Sequence, residues 1–167
     1  MRHTAGGHAS LLRPEGGAPQ ELARFELTED LRPEAPKVVA ALRRADGIII
    51  GSPGYHGSIS GLVKNALDYV EDMAKDEWPY FHGRPVGAVT TGAGWQGAVM
   101  TLTTLRSIVH ALRGWNTPLG VAINTAQTAF ASDGGCLDEK TGAMLLAMGQ
   151  EVAEAARTRA LIQGRRT

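Results

Sequence analysis

Cysteine is almost absent. Cys136 stands alone among 167 residues, which excludes an internal disulfide and any metal site built from several cysteines. Net charge is absent as well, because 17 Lys and Arg balance 17 Asp and Glu. No basic stripe supplies the field that draws proteins to nucleic acid. No apolar run approaches the roughly 18 residues of a membrane span, and the first residues lack the apolar centre of a secretory signal. A cytoplasmic protein without nucleic-acid or membrane partners is the expectation. His3, His8, His82 and His110 lie far apart, without metal-ligand spacing, so no metal is expected. There is no G-x-S-x-G elbow and no His–Asp pair suited to nucleophilic catalysis. No side chain is therefore assigned a catalytic role, and any chemistry is left to a bound cofactor.

Glycine and proline are plentiful, at 21 and 8 residues. They fall between periodic segments, as strand-to-helix turns require. Alternation over Glu21 to Leu27 predicts a half-buried strand. Val38, Val39, Ala41 and Leu42 share one face of a predicted helix over 34–44, with Pro33 and Pro36 near its start. Gly47 to Gly51 is a short apolar strand of the doubly buried kind. Leu62, Val63, Ala66, Leu67, Val70 and Met73 recur at helical spacing, and Ser58 or Ser60 is a suitable N-cap. Further strands are predicted over 85–91 and 119–124, and further helices over 98–113 and 140–162. This alternation predicts an α/β domain whose parallel sheet is covered on both faces. Residues 1–20 read as a flexible arm, with the domain spanning 21–164.

Two loops follow apolar strands at the edge where open α/β sheets bind ligands. The first comprises Pro53, Gly54, Tyr55, His56, Gly57 and Ser58. It is either a plain strand-to-helix turn or a ligand cradle. Tyr55 and His56, which a turn does not need, favour the cradle, as does the helix N-terminus that follows. The second comprises Thr91, Gly92, Ala93, Gly94 and Trp95. Gly92, Gly94 and Gly97 spell G-x-G-x-x-G, but no acid follows at the spacing that a dinucleotide ribose needs. A second wall of the same crevice is the simpler reading. Trp95 either stacks on a ligand or covers the sheet edge.

The run Ser52-Pro53-Gly54-Tyr55-His56-Gly57-Ser58-Ile59-Ser60-Gly61-Leu62-Val63-Lys64-Asn65-Ala66-Leu67-Asp68-Tyr69 resembles the NADPH-dependent FMN reductase family. Its members carry a run like S/T-P-E-Y-N-G-S-I-P-G-x-L-K-N-A-L-D-W. Gly83-Arg84-Pro85-Val86 and Thr91-Gly92-Ala93-Gly94 are similar to the family too, and the resemblance covers residues 21–125. It implies a flavodoxin-like three-layer fold, FMN and NADPH as cofactors, and a small-molecule electron acceptor such as a quinone or a flavin. By resemblance, Pro53, Tyr55, His56 and Ser58 lie along the isoalloxazine ring, and Thr91, Gly92, Ala93 and Gly94 approach its pyrimidine side.

The chain departs from the pattern at Gly54 (Glu in the family), His56 (Asn) and Ser60 (Pro). The family's first strand and its phosphate loop, G-S-x-R-x-x-S, have no counterpart before Glu21. Gly6-Gly7-His8-Ala9-Ser10 is the nearest stretch. Hydrogen bonds to a charged group contribute about 1.5–3 kcal/mol each, so losing two or three lowers affinity by roughly two to six decades. A non-catalytic member that keeps only the scaffold is the second reading. Tyr69, Trp78, Tyr80 and Phe81 cluster in sequence; they either cap the core locally or form a contact centre, where aromatic residues dominate. In the family this region pairs subunits, so a homodimer or homotetramer is expected.

Overall fold

The computed structural model describes residues 8–12, 23–26, 33–128, 130–132 and 134–162, with only the backbone described for the first two stretches. The elements are β1 (His8–Leu12), β2 (Ala23–Glu26), α1 (Ala35–Arg44), β3 (Gly47–Tyr55), β4 (Ser58–Ile59), α2 (Gly61–Asp68), β5 (Pro85–Gly92), α3 (Trp95–Ala111), β6 (Trp115–Asn116), β7 (Val121–Asn124) and α4 (Glu139–Ile162). A 3-10 segment, Tyr69–Met73, extends α2.

The sheet runs β2-β1-β3-β5, and both β6 and β7 pair with β5. β3 and β5 are parallel, with Ile48 opposite Val86 and Pro53 opposite Thr91. β6 and β7 pair in parallel with the two ends of β5. They act as one edge strand interrupted around Pro118, whose missing N–H cannot join a ladder.

β1 departs from the expectation in two ways. His8–Leu12, read from the sequence as part of a flexible arm, forms a strand next to β3. It also runs antiparallel there, with Leu12 opposite Gly47 at the start of β3. Its carboxyl end therefore points to the edge of the sheet away from the carboxyl ends of β3 and β5. The remainder of the predicted arm lies outside the described residues.

The pleat sends alternate residues to opposite faces. Ile48, Ile50, Val86 and Ala88 join Val38, Val39 and Leu42 of α1, Val63 and Leu67 of α2, and Leu105 and Val109 of α3 in the larger core cluster. On the other face, Ile49 and Val89 meet Met144, Leu145 and Met148 of α4. Gly87 opens that face to α4, since a Cβ there would lie 3.0 Å from both Met148 Sδ and Val152 Cγ2. The three-layer α/β architecture read from the sequence is thus present. α4 is capped by Asp138, whose Oδ1 accepts from the Thr141 amide at 2.7 Å. Bonding to Thr141 holds the Asp138 carboxyl below the usual range.

The Tyr69–Phe81 segment turns inward. Phe81 is fully buried, and Tyr69 and Tyr80 are half-buried against the same core. Of the four clustered aromatic residues, only Trp78 is exposed, with its ring 5.1 Å from that of His82. These side chains close the core of their own chain rather than forming an outward patch.

Candidate functional site

The first predicted loop is an extension of the sheet. β3 continues to Tyr55, turns through His56 and Gly57, and returns as β4, with Gly54 opposite Ile59 and Tyr55 opposite Ser58. Both turn residues have positive φ, 52° at His56 and 82° at Gly57, the requirement of a two-residue I′ hairpin. Asn-Gly is the preferred pair for that turn. His is one of the few other residues enriched at positive φ, which explains how it replaces the family's Asn.

Buried hydroxyls fix the hairpin base. Ser52 Oγ accepts from the Ser60 amide at 3.0 Å, and Ser60 Oγ accepts from the Val63 amide at 3.1 Å as the N-cap of α2. The family's proline at position 60 has no amide to donate to Ser52. Here serine supplies both that donor and the cap. On the far side, Thr101 of α3 donates to Ser58 O at 3.3 Å.

The hairpin approaches α3 so closely that Gly54 is sterically required. A Cβ there would lie 2.4 Å from Thr101 Oγ1, 3.1 Å from Thr91 O and 3.3 Å from Gly97 O. The family's Glu does not fit this packing. Gly54→Ala is expected to destabilise the fold by about 1–3 kcal/mol, the usual cost of overpacking. Adding Thr101→Ala should recover part of that loss in a urea-denaturation double-mutant cycle, and additive losses would exclude the contact as the cause.

The second loop enters α3 earlier than expected, because the helix begins at Trp95. Gly97 is therefore a residue of its first turn. Thr90 Oγ1 donates to Ala98 O at 2.8 Å and pins that turn to β5. The glycines of the loop have different reasons. A Cβ on Gly92 would lie 2.9 Å from the Ala98 amide nitrogen, so its bareness permits strand and helix to touch. A Cβ on Gly94 would meet nothing within 4 Å. Gly94 is also extended, at φ −163°, so the fold itself makes no demand for glycine there. It is the N-cap of α3 and provides no side-chain cap.

A third strand end completes the edge. Thr125, just beyond β7, bonds Gly92 O through its amide at 2.8 Å and its hydroxyl at 3.1 Å. Trp95 Nε1 donates to Gln127 Oε1 at 3.1 Å. Trp95 thus spans from the α3 N-terminus to the turn after β7. Sequence reasoning missed Gln127, and nothing in its neighbourhood signals it. Tyr55 and Trp95 remain 46% and 51% exposed, large aromatic faces at one sheet edge.

All eleven predicted site residues, Pro53 to Ser58 and Thr91 to Trp95, therefore fall on two adjacent strand ends. The arrangement fits a flat ligand: two exposed aromatics, a glycine cap with open space beyond it, and a helix start without a side-chain cap. β1 itself brings no loop to this edge, because it runs antiparallel to β3 and ends at the opposite one.

A mostly parallel wound sheet between helical layers is a flavodoxin-like fold, and open α/β sheets bind ligands at the carboxyl edge where these strand ends lie. The chain belongs to the NADPH-dependent FMN reductase family, whose sequence pattern matches residues 5–128. It is 34% identical over 109 residues to an FMN-dependent NADPH-azoreductase of Staphylococcus aureus (strain USA300), an alignment covering 65% of this chain and 52% of that protein. The chain thus spans about half the length of the curated relatives it matches. An oxidoreductase from Corynebacterium diphtheriae superposes with a TM-score of 0.60 at 20% identity, over 75% of this chain and 63% of the other. The flavodoxin, WrbA-like protein from Agrobacterium tumefaciens gives a TM-score of 0.55 at 24% identity, over 71% of each chain. These likenesses establish the fold.

Proposed function

We propose that this chain takes the isoalloxazine ring of FMN at the two strand-end turns and works as an NAD(P)H-dependent FMN reductase-like oxidoreductase. NADPH is the electron source, and a quinone, flavin or similar small molecule is the acceptor. Bound FMN supplies hydride-accepting chemistry, which is why no side chain is needed as acid or base. The residues of the chain hold and orient it. Tyr55 offers a flat face, and the hairpin from Pro53 to Ser58 lies along the ring. Thr91, Gly92, Ala93 and Gly94 face it through their backbone, and the dipole at the α3 N-terminus favours its electron-rich edge. Trp95, held by Gln127, walls the crevice on the β7 side.

The observation that carries this reading is Gly94, an extended glycine with open space where a Cβ would be. Gly94→Ala is expected to lower the melting temperature by no more than about 2–4 °C, since alanine is a poorer N-cap than glycine by roughly 0.5–1 kcal/mol. It should also weaken FMN binding at least about tenfold in a fluorescence titration, the order of 1.4 kcal/mol. Equal FMN affinity in both proteins would remove the site assignment. A wild-type chain that stays folded yet binds no FMN at high micromolar ligand would favour a second reading, which the reversed β1 supports: a scaffold that has lost tight FMN binding. Residence in the cytoplasm and assembly as a homodimer or homotetramer belong to the same proposal. The Tyr69–Phe81 cluster lends the assembly no support, because most of it is buried within its own chain.

No helix among the described residues is long and apolar enough to cross a membrane.

A further inference from the structure

The turn after β7 is fixed by its own bonds and by bonds to β5. Asn124 lies opposite Gly92 in the β5–β7 ladder and is buried. Its Oδ1 accepts from the Ala126 amide at 3.0 Å. Its carbonyl accepts from the amides of Gln127 and Thr128, at 3.0 and 2.9 Å. Bonds of this kind hold a turn in one conformation, and Thr125 ties it to Gly92 O. Gln127 is therefore carried on a fixed backbone beside the strand end that leads into Gly94.

The partner of Gln127 decides which way its amide faces. The indole N–H of Trp95 is a donor only, so Oε1 is the atom that meets it, at 3.1 Å. Nε2 is bonded to the same carbon, and its hydrogens have no acceptor among the described residues. An amide donor is thus held beside the rim of an indole that is half exposed. Covering the sheet edge accounts for the buried half of Trp95. It does not account for the open half with an unused amide next to it.

We propose that Trp95 and Gln127 form a recognition site for a planar molecule with a carbonyl oxygen at its edge, and that Gln127 selects for that oxygen. The flat body lies on the indole, and Nε2 donates to the carbonyl. A flat hydrocarbon of the same shape covers Nε2 without giving it an acceptor, and a covered donor without a partner is costly. Gln127 has two roles: Oε1 positions Trp95, and Nε2 contacts the ligand. Residues 91–95 and 125–128 include no ionisable side chain, so selection here is by hydrogen bonding and not by charge. The inference rests on the oxidoreductase reading above for the ligand's role as electron acceptor. It extends that reading by assigning recognition of the acceptor to the turn after β7.

The test compares an anthraquinone sulfonate with the matching anthracene sulfonate, planar probes of equal charge that differ in their carbonyls. Calorimetric titrations use the full chain, with saturating FMN and again without it. Gln127 is exposed, so the range for one neutral hydrogen bond applies, and the anthraquinone should bind about threefold to tenfold tighter. Gln127→Glu keeps an oxygen for Trp95 but offers no donor, so the ratio should fall below about twofold. Repulsion between the new carboxylate and the sulfonate acts on both probes and cancels in the ratio. Gln127→Leu should abolish the preference and also free the indole. With Trp78→Phe and Trp115→Phe in place, Trp95 emission should lose anisotropy in Gln127→Leu and keep it in Gln127→Glu, a separation that a merely structural role does not produce. Equal binding of the two probes, or none, by the unmutated chain in both conditions overturns the proposal, as does a ratio that Gln127→Glu leaves unchanged. If the chain binds no FMN but the ratio still responds to Gln127→Glu, the flavin reading fails and the recognition site stands. If FMN binds and the ratio is flat, the recognition site fails alone.

Discussion

Arg84→Met is expected to lower stability by about 3 kcal/mol or more and the melting temperature by about 6–12 °C. The Arg84 side chain is 7% exposed and satisfies three backbone carbonyls. Nε donates to Ala45 O at 2.8 Å, Nη1 to Tyr80 O at 2.6 Å and Nη2 to Arg43 O at 3.1 Å. Two of those carbonyls belong to the C-terminal end of α1, where helix carbonyls lack intrahelical donors and a cation is favoured. One planar guanidinium therefore joins the end of α1 to the turn that launches β5. Methionine fills much of the volume but donates nothing, and each hydrogen bond from a charged donor contributes about 1.5–3 kcal/mol. Arg84→Lys should fall between the two, because a single ammonium cannot reproduce the fork. Thermal melts followed by circular dichroism measure both variants. A methionine variant within 2 °C of wild type would show that water replaces the guanidinium at little cost.

Phe81→Ala is expected to cost about 3–5 kcal/mol, the range for truncating a buried phenylalanine, and to lower the melting temperature by about 6–20 °C. Phe81 is fully buried among the residues that join α1, α2 and α3 to the sheet, and its amide donates to Leu112 O at 2.9 Å. Trp78→Ala, three residues away on the exposed side, should change stability by under about 1 kcal/mol. Urea denaturation of the two variants side by side distinguishes a core segment from a docking surface. In a docking surface, the tryptophan is the costlier loss and the loss appears in association, not in folding.

The strands and helices whose sequence pattern repeats were legible. β3 opens on the apolar run Ile48 to Ile50 and β5 carries Val86, Ala88 and Val89, α1 and α2 carry one apolar stripe, and the layers followed. What escaped was decided by single residues or by partners far away in sequence. The hairpin at Tyr55–Ser58 was hidden because His56 occupies the place where Asn-Gly is the readable turn signal. The start of α3 at Trp95 was hidden because Gly97, a poor helix former, lies in its first turn, held there by Thr90. α2 gives way to a 3-10 turn after Asp68, although its apolar spacing runs on to Met73. β1 has no strand pattern of its own, and its pairing with β3 supplies what its sequence does not.

Of the candidate site, the two strand-end loops were named from the sequence and Gln127 was not, and the causes of the loop glycines were not separable there. Gly54 and Gly92 are bare because neighbouring chain touches them, whereas Gly94 is bare with nothing beside it. A string of letters cannot distinguish those cases.

The interrupted edge beside β5 has a consequence for how strands can add to the sheet. Long, flat outer strands template the addition of further chains, and that growth leads to insoluble fibrils. Here the outer strand is cut into pieces of two and four residues, with Pro118 between them, so no continuous row of donors and acceptors is on offer. This edge therefore gives an incoming strand nothing continuous to extend.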